Sequence, residues 1–162
     1  MIRSKLFFVI AVIIFIFGMA MIDCAVAGEK VKAHATSITT KFEKIEIGDE
    51  DGHIIAIVES KQIWIDDKTG EKSVGKSSYF MDMNMKTGKG FINGYSVRSY
   101  PNGEKWFAKT EGKPVGKGHM KGTFTYMGGT GKYEGLHGQG TWEAKTMAPG
   151  ISYMEAEGVR EY

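Results

Sequence analysis

Two carboxylates are candidates for acid–base chemistry. Glu59 interrupts the apolar run IIAIVESKQIWI (Ile54–Ile65), and Asp82 lies between Met81 and Met83 in SSYFMDMNM. A carboxylate aimed into an apolar cavity loses hydration, so its pKa rises and it can exchange a proton with a guest near neutral pH. Both candidacies depend on strand facing, because an alternating polar side chain is equally suited to water. Glu155 and Glu157 alternate in the same way near the C-terminus. The four histidines, His34, His53, His119 and His137, show neither H-x-H nor H-E-x-x-H spacing. A catalytic zinc needs three converging ligands, so no metal site is expected. Ser77 and Ser78 have no evident His and Asp partners for a hydrolytic triad.

The stretch YMGGTGKYEG (Tyr126–Gly135) has the look of a phosphate-cradling loop. A Walker loop requires G-x-x-x-x-G-K-[ST] between a strand and a long helix. Here Tyr133 follows Gly131-Lys132, Tyr126 stands where the first glycine belongs, and Gly135, Gly138 and Gly140 interrupt any helix. The dinucleotide pattern fails as well, since Glu134 occupies its last glycine position. The structural reading is a chain reversal at Gly128, Gly129 and Gly131. One helical turn anchored by Tyr133 and stopped by Gly135 follows.

These residues must be positioned by strands. No apolar pattern at helical spacing runs for three turns after residue 28, whereas stretches rich in β-branched and aromatic residues recur between polar breaks. The pattern predicts strands over Lys32–Glu46, Ile54–Ile65, Ser77–Met85, Gly90–Tyr100, Lys105–Glu111, His119–Met127, His137–Lys145 and Ser152–Arg160. YPNGEKW (Tyr100–Trp106) is the strongest hairpin signal and predicts a primed turn at Asn102-Gly103. Short links imply antiparallel neighbours, and eight such strands imply an all-β closed barrel or sandwich, because closure removes exposed edges.

Alternation nominates the interior. Tyr79, Met81, Met83 and Met85 share one face; so do Gly118, Met120, Gly122, Phe124 and Tyr126, and so do Gly138, Gly140, Trp142 and Ala144. Glycine within a strand weakens it unless something must approach closely, and a small tapering barrel supplies that reason. Met81, Met83, Met120, Phe124, Tyr126 and Trp142 are the expected lining of any cavity. They would suit a flexible apolar guest, because Met adapts to irregular shapes.

The 162-residue chain begins with Arg3 and Lys5, the apolar run Leu6–Ile22 and the small residues Ala25-Val26-Ala27. That order is a secretory signal cleaved after Ala27, leaving a secreted or periplasmic domain over 28–162. The alternatives are an uncleaved N-terminal anchor, since the run just reaches membrane-spanning length, and a lipoprotein at Cys24. Removing 27 of the 162 residues leaves 135, enough for one core. It takes two of the 21 basic and one of the 19 acidic residues, leaving 19 and 18. This near balance argues against a nucleic-acid partner. Cys24 is the single cysteine, so the mature domain has neither a disulfide nor a thiol nucleophile. No stable membrane association is expected after cleavage, and no cofactor is implied.

GTFTYMGGTGKYEGLHGQGTW (Gly122–Trp142) resembles the hairpin signature of the allene oxide cyclase/dirigent barrel superfamily. Gly128, Gly129, Thr130, Gly131, Tyr133, Glu134, Gly135, Gly138 and Gln139 match the G-G-S-G-x-F-E-G-x-x-G-Q run of the plant cyclases, with Thr for Ser and Tyr for Phe. NGEKWFAKTEG (Asn102–Gly112) resembles the preceding strand in small secreted bacterial members of unassigned function. The resemblance implies a single eight-stranded antiparallel barrel with an apolar cavity, assembled as a homo-oligomer, often a trimer. It implies architecture rather than a reaction: the cyclases' steering residues include a cysteine, and the mature chain has none. Three functions follow as expectations. They are a binder of a small apolar ligand, a cofactor-independent isomerase or cyclase, and a filled barrel with a structural or interaction role.

Overall fold

The computed structural model describes residues 28–162. The signal-peptide reading of residues 1–27 lies outside the described residues. Eight strands follow in order: β1 Glu29–Glu46, β2 His53–Asp66, β3 Lys72–Asn84, β4 Lys89–Ser99, β5 Lys105–Gly116, β6 His119–Gly129, β7 Gln139–Ala148 and β8 Ile151–Arg160. Each pairs antiparallel with the next, and β8 returns to β1 from Glu29↔Arg160 to Ile38↔Ile151, closing an up-and-down barrel. All eight expected strands are present and in the expected order. The largest boundary differences are five residues: β3 starts early because the polar Lys72–Lys76 segment pairs in register with β2, and β5 runs on to Gly116, paired with β6.

Strand period two divides the side chains between inside and outside. In β2, Ile54, Ala56, Val58, Ser60, Gln62 and Trp64 are buried, while the intervening residues face outward. The apolar interior falls into two main clusters. Ile54, Ala56, Val58, Met81, Met83, Ile92 and Trp142 form one, and Tyr100, Trp106, Ala108, Tyr126, Tyr133 and Leu136 form the other. β1 runs past the end of β8 and continues from Lys41 to Glu46 paired with β2 alone, after a bulge between Thr39 and Lys41. Among the described residues no helix is long and apolar enough to cross a membrane.

The inward glycines have a steric cause. A Cβ on Gly122 would come within 2.6 Å of the Trp142 indole, and one on Gly112 would strike the same ring. These two glycines let a bulky indole from β7 lie flat over the neighbouring β6 and β5 strands inside a narrow barrel. Gly140 does the same for the ring of Phe124.

The Tyr100–Trp106 hairpin forms, but not with a primed turn. A primed turn at this pair needs positive φ at Asn102 as well as Gly103, and among the described residues no non-glycine residue has positive φ. Instead Gly103 N–H donates to Tyr100 O at 2.9 Å and Tyr100 N–H to Glu104 O at 2.9 Å, with only Gly103 left-handed at φ 86°. This is the longer hairpin pattern in which a turn is followed by one left-handed glycine. It suits Pro101, whose φ is fixed negative.

Candidate functional site: an internal cavity

The YMGGTGKYEG stretch closes one end of the barrel rather than holding a phosphate. Gly131–Tyr133 form one 3-10 turn, and Tyr133 and Leu136 are buried beneath it at 1% and 2% exposure. Gly128, Gly131, Gly135 and Gly138 all take positive φ. Gly129 packs so closely on Tyr133 that a Cβ would sit 2.5 Å from the Tyr133 Cβ. The backbone N–H of Lys132 donates to Glu104 Oε1 at 3.0 Å, and Lys105 N–H donates to Thr130 Oγ1 at 3.0 Å. The loop's anion-seeking donor is therefore occupied by the chain's own carboxylate. That hydrogen bond, with a second from Asn102, holds the Glu104 carboxyl below its ordinary range.

Above this floor lies an internal cavity of ≈ 160 Å³. The exposed residues Thr39, Gly118 and Thr146 rim one end of its lining, where the β5–β6 and β7–β8 turns meet β1. Met120, Phe124, Trp142, Ala144, Met154 and Ala156 make apolar walls. A polar belt crosses β2, β3 and β4: Gln62 Nε2 donates to Ser60 Oγ at 2.6 Å and to Ser77 Oγ at 3.2 Å, and the Ser77 and Ser96 hydroxyls lie 2.8 Å apart.

The far end carries two buried arginines. In β4 the inward positions are Ile92, Gly94, Ser96 and Arg98, followed by Tyr100, so alternation alone drives Arg98 inside. Its guanidinium carbon lies 4.1 Å from the Trp64 ring centroid and 4.7 Å from that of Trp106, within cation–π range of both. Gly75 pairs with Arg98 across β3–β4, and a Cβ there would lie 2.8 Å from Trp64 Nε1. Arg160, from β8, donates through Nη2 to Tyr100 Oη at 3.4 Å, and Trp106 Nε1 donates to the same oxygen at 3.2 Å. The Tyr100 and Tyr133 rings stack at 5.0 Å.

Burial shapes the ionisation here. Desolvation pushes the Arg98 guanidinium below its ordinary value, and Arg160 adds repulsion, while the hydroxyls of Tyr100 and Tyr126 oppose the change. At Tyr100, burial raises the phenol pKa, but a hydrogen bond with Tyr133 and the two guanidinium charges outweigh it, leaving the value lowered. Tyr126 and Tyr79 are raised, chiefly by burial.

Four residues expected to line a cavity, Met120, Phe124, Tyr126 and Trp142, do so together. Met81 and Met83 are buried beside it, packed with Ile54, Ala56, Val58 and Ile92. Glu59 and Asp82 fall on outward-facing positions. Glu59 meets Lys76 Nζ at 3.2 Å, and Asp82 meets His53 Nε2 at 2.9 Å. The condition for their acid–base role, pointing into the barrel, is not met in this arrangement. Among the described residues no three His, Cys, Asp or Glu side chains gather as a metal site. Trp64, Gln62, Arg98, Trp106 and Arg160 also line the cavity, and no local motif marks them for it. The alternation of Gly94, Ser96, Arg98 and Tyr100 was the available signal for Arg98.

No family model matches the sequence, and no curated protein matches it. Among solved structures, the fold is similar to that of the pterocarpan synthase dirigent protein GePTS1. The TM-score is 0.53 and the identity 9%, over 84% of this chain and 87% of that one. At that identity the likeness is one of fold, and it agrees with the barrel expected from the Gly122–Trp142 hairpin.

Proposed function

We propose that this protein is an exported β-barrel that binds a small, largely apolar molecule in its interior. The supporting observation is the ≈ 160 Å³ cavity walled by Met120, Phe124, Trp142 and Met154. An apolar cavity of about 150 Å³ is already large enough to take up a benzene-sized molecule. A solidly packed barrel, as a purely structural role would allow, would leave no such space.

A second reading, a cofactor-independent isomerase or cyclase that shapes its guest, draws on one observation. Gln62, Arg98 and Asp66 bring polar groups to the cavity lining. Against proton transfer, Asp66 Oδ1 accepts bonds from Lys68 N–H at 3.0 Å and Thr69 N–H at 2.8 Å, and those bonds serve its own turn. Binding is therefore the leading reading.

Export and assembly belong to the same proposal. Cleavage after Ala27 would release the barrel into the periplasm or medium, and retention of the apolar segment would leave it tethered. Self-assembly is supported by apolar side chains on the outer face of β2–β4, and the trimer is the form that the resemblance of the Gly122–Trp142 hairpin implies. Ile57, Ile63, Val74, Phe91 and Tyr95 are 46–62% exposed there, and such patches commonly become interfaces. Sedimentation velocity of the mature domain tests this: a single species of three chains is expected, and a monomer at all concentrations would overturn it.

The binding reading is tested by intrinsic fluorescence. The chain has three tryptophans, Trp64, Trp106 and Trp142, and all three line the cavity. Single-ring aromatic compounds should produce a saturable change in emission. No saturable change across such a panel would contradict the proposal.

A further inference from the structure

We infer that the guest is an anion, a small aromatic carboxylate whose carboxylate docks on Arg98 and Arg160 at the deep end of the cavity. This rests on the binding reading above and adds the chemical class of the ligand.

Two buried arginines lack an ion-pair partner: the one carboxylate among the cavity's lining residues, Asp66, feels the Arg160 charge but spends its Oδ1 on the Lys68 and Thr69 N–H groups. Arg98 is 7% exposed and Arg160 is 9% exposed, and both line the cavity. Among the described residues, no carboxylate comes within 4.0 Å of either guanidinium. The Nε–H of each is buried without a hydrogen-bond partner. Arginine remains protonated in proteins, so it cannot escape this burial by neutralising. Arg160 is eased by the Tyr100, Tyr126 and Tyr133 hydroxyls, whereas Arg98 carries the desolvation and the repulsion from Arg160. A buried charge is ordinarily paired, and a half-satisfied polar cluster is expensive to keep. An incoming anion would supply what the chain does not.

The surroundings narrow the anion. Trp64 and Trp106 both lie against the Arg98 guanidinium, its carbon 4.1 Å and 4.7 Å from their ring centroids. A carboxylate matches that planar fork with two parallel hydrogen bonds. The Tyr100 hydroxyl accepts from Arg160 behind the lining, and Tyr126, which does line the cavity, supplies a further polar group beside the arginines. Beyond them the walls combine Met120, Phe124, Trp142 and Met154 with the Ser60, Gln62, Ser77 and Ser96 belt; Asp66 is the one acidic lining residue, and no further cation is among them. The volume matches about one ring with a short side group rather than a long chain. The carboxylate of such a molecule would reach the arginines while its ring lies among Phe124, Met120 and Trp142.

The test compares isosteric acids and amides on the intact mature domain by isothermal titration calorimetry. Benzoate is set against benzamide, and cinnamate against cinnamamide, at neutral pH. The inference expects each acid to bind at least tenfold tighter than its amide. It also expects Arg98→Gln to reduce that preference to less than threefold, with Arg98→Lys retaining part of it. The wild-type comparison stands alone if a variant does not fold. Equal binding of acids and amides would overturn the anion inference and leave the apolar-guest reading standing. Binding of neither class, at millimolar concentration, would overturn both.

Discussion

Arg98 lies between Trp64 and Trp106, its guanidinium carbon 4.1 Å from one ring centroid and 4.7 Å from the other. Two desolvated cation–π contacts oppose the burial of an unpaired charge, and their magnitudes are comparable. Each contact is worth about 1–2 kcal/mol, against several kcal/mol for desolvating the ion. Arg98→Met should therefore leave the ligand-free barrel within about 1 kcal/mol of its parent, or more stable. Removing an ordinary large side chain from a core loses about 2–5 kcal/mol. Urea denaturation decides between these outcomes, and a loss in the ordinary range would mean that Arg98 is already satisfied.

Gly122→Ala places a methyl group against Trp142, whose Cε2 lies 2.6 Å from the position of the new carbon. The Glu111 carbonyl is closer still and cannot rotate away. Overpacking of this kind costs about 1–3 kcal/mol. The expected outcome is a lower denaturation midpoint with altered tryptophan emission. An unchanged midpoint would show that the indole does not lie over this glycine.

Gly140→Val acts on the cavity itself. The new side chain would meet the Phe124 ring and the Glu157 carbonyl. The ring can yield, and the cavity lies beyond it. Guest binding should weaken by tenfold or more, even where the variant remains folded by circular dichroism. Undiminished affinity in a folded variant would place the guest elsewhere.

His53 bridges two carboxylates outside the barrel, with Nδ1 2.6 Å from Asp49 and Nε2 2.9 Å from Asp82. The hydrogen bond to Asp82, then that to Asp49, raises its pKa above the ordinary 6.5. A group with a raised folded-state pKa contributes stability that is complete below the unfolded value and disappears as pH rises through the folded one. Asp49 is lowered by the same His53 bond, so its contribution is complete above 3.8 and disappears as pH falls through its depressed value. The loop joining β1 and β2 should thus be tightest between those limits. NMR titration of the His53 ring should give a midpoint above 6.5, and His53→Asn should flatten the alkaline loss of stability. A midpoint at or below 6.5 would contradict the bridge.

The barrel was legible because its signals are local. Strand alternation, Gly-Asn-Pro breaks and the Gly122–Trp142 hairpin each act within about twenty residues, and they agree with one another. The apolar wall was legible for the same reason, since Met120, Phe124 and Tyr126 share one strand face. The arginine end was harder to see. Arg98, Trp64, Trp106 and Arg160 come from four strands, and only barrel closure brings them together. Glu59 and Asp82 were conspicuous as charges interrupting apolar runs, but both sides of β2 and β3 are apolar in places. Ile57, Ile63 and Phe80 face outward, so apolar neighbours did not mark the inside. The Asn102-Gly103 turn lies where the hairpin signal puts it but is not primed, because Pro101 leads a longer reversal in which only Gly103 is left-handed.

Native mass spectrometry of the protein purified from its own source, followed by organic extraction, tests the central claim most directly. The account predicts one small passenger per chain, carrying an aromatic ring and an acidic group, released on unfolding. A barrel that arrives empty, and stays empty after exposure to aromatic acids and their neutral analogues, would contradict it.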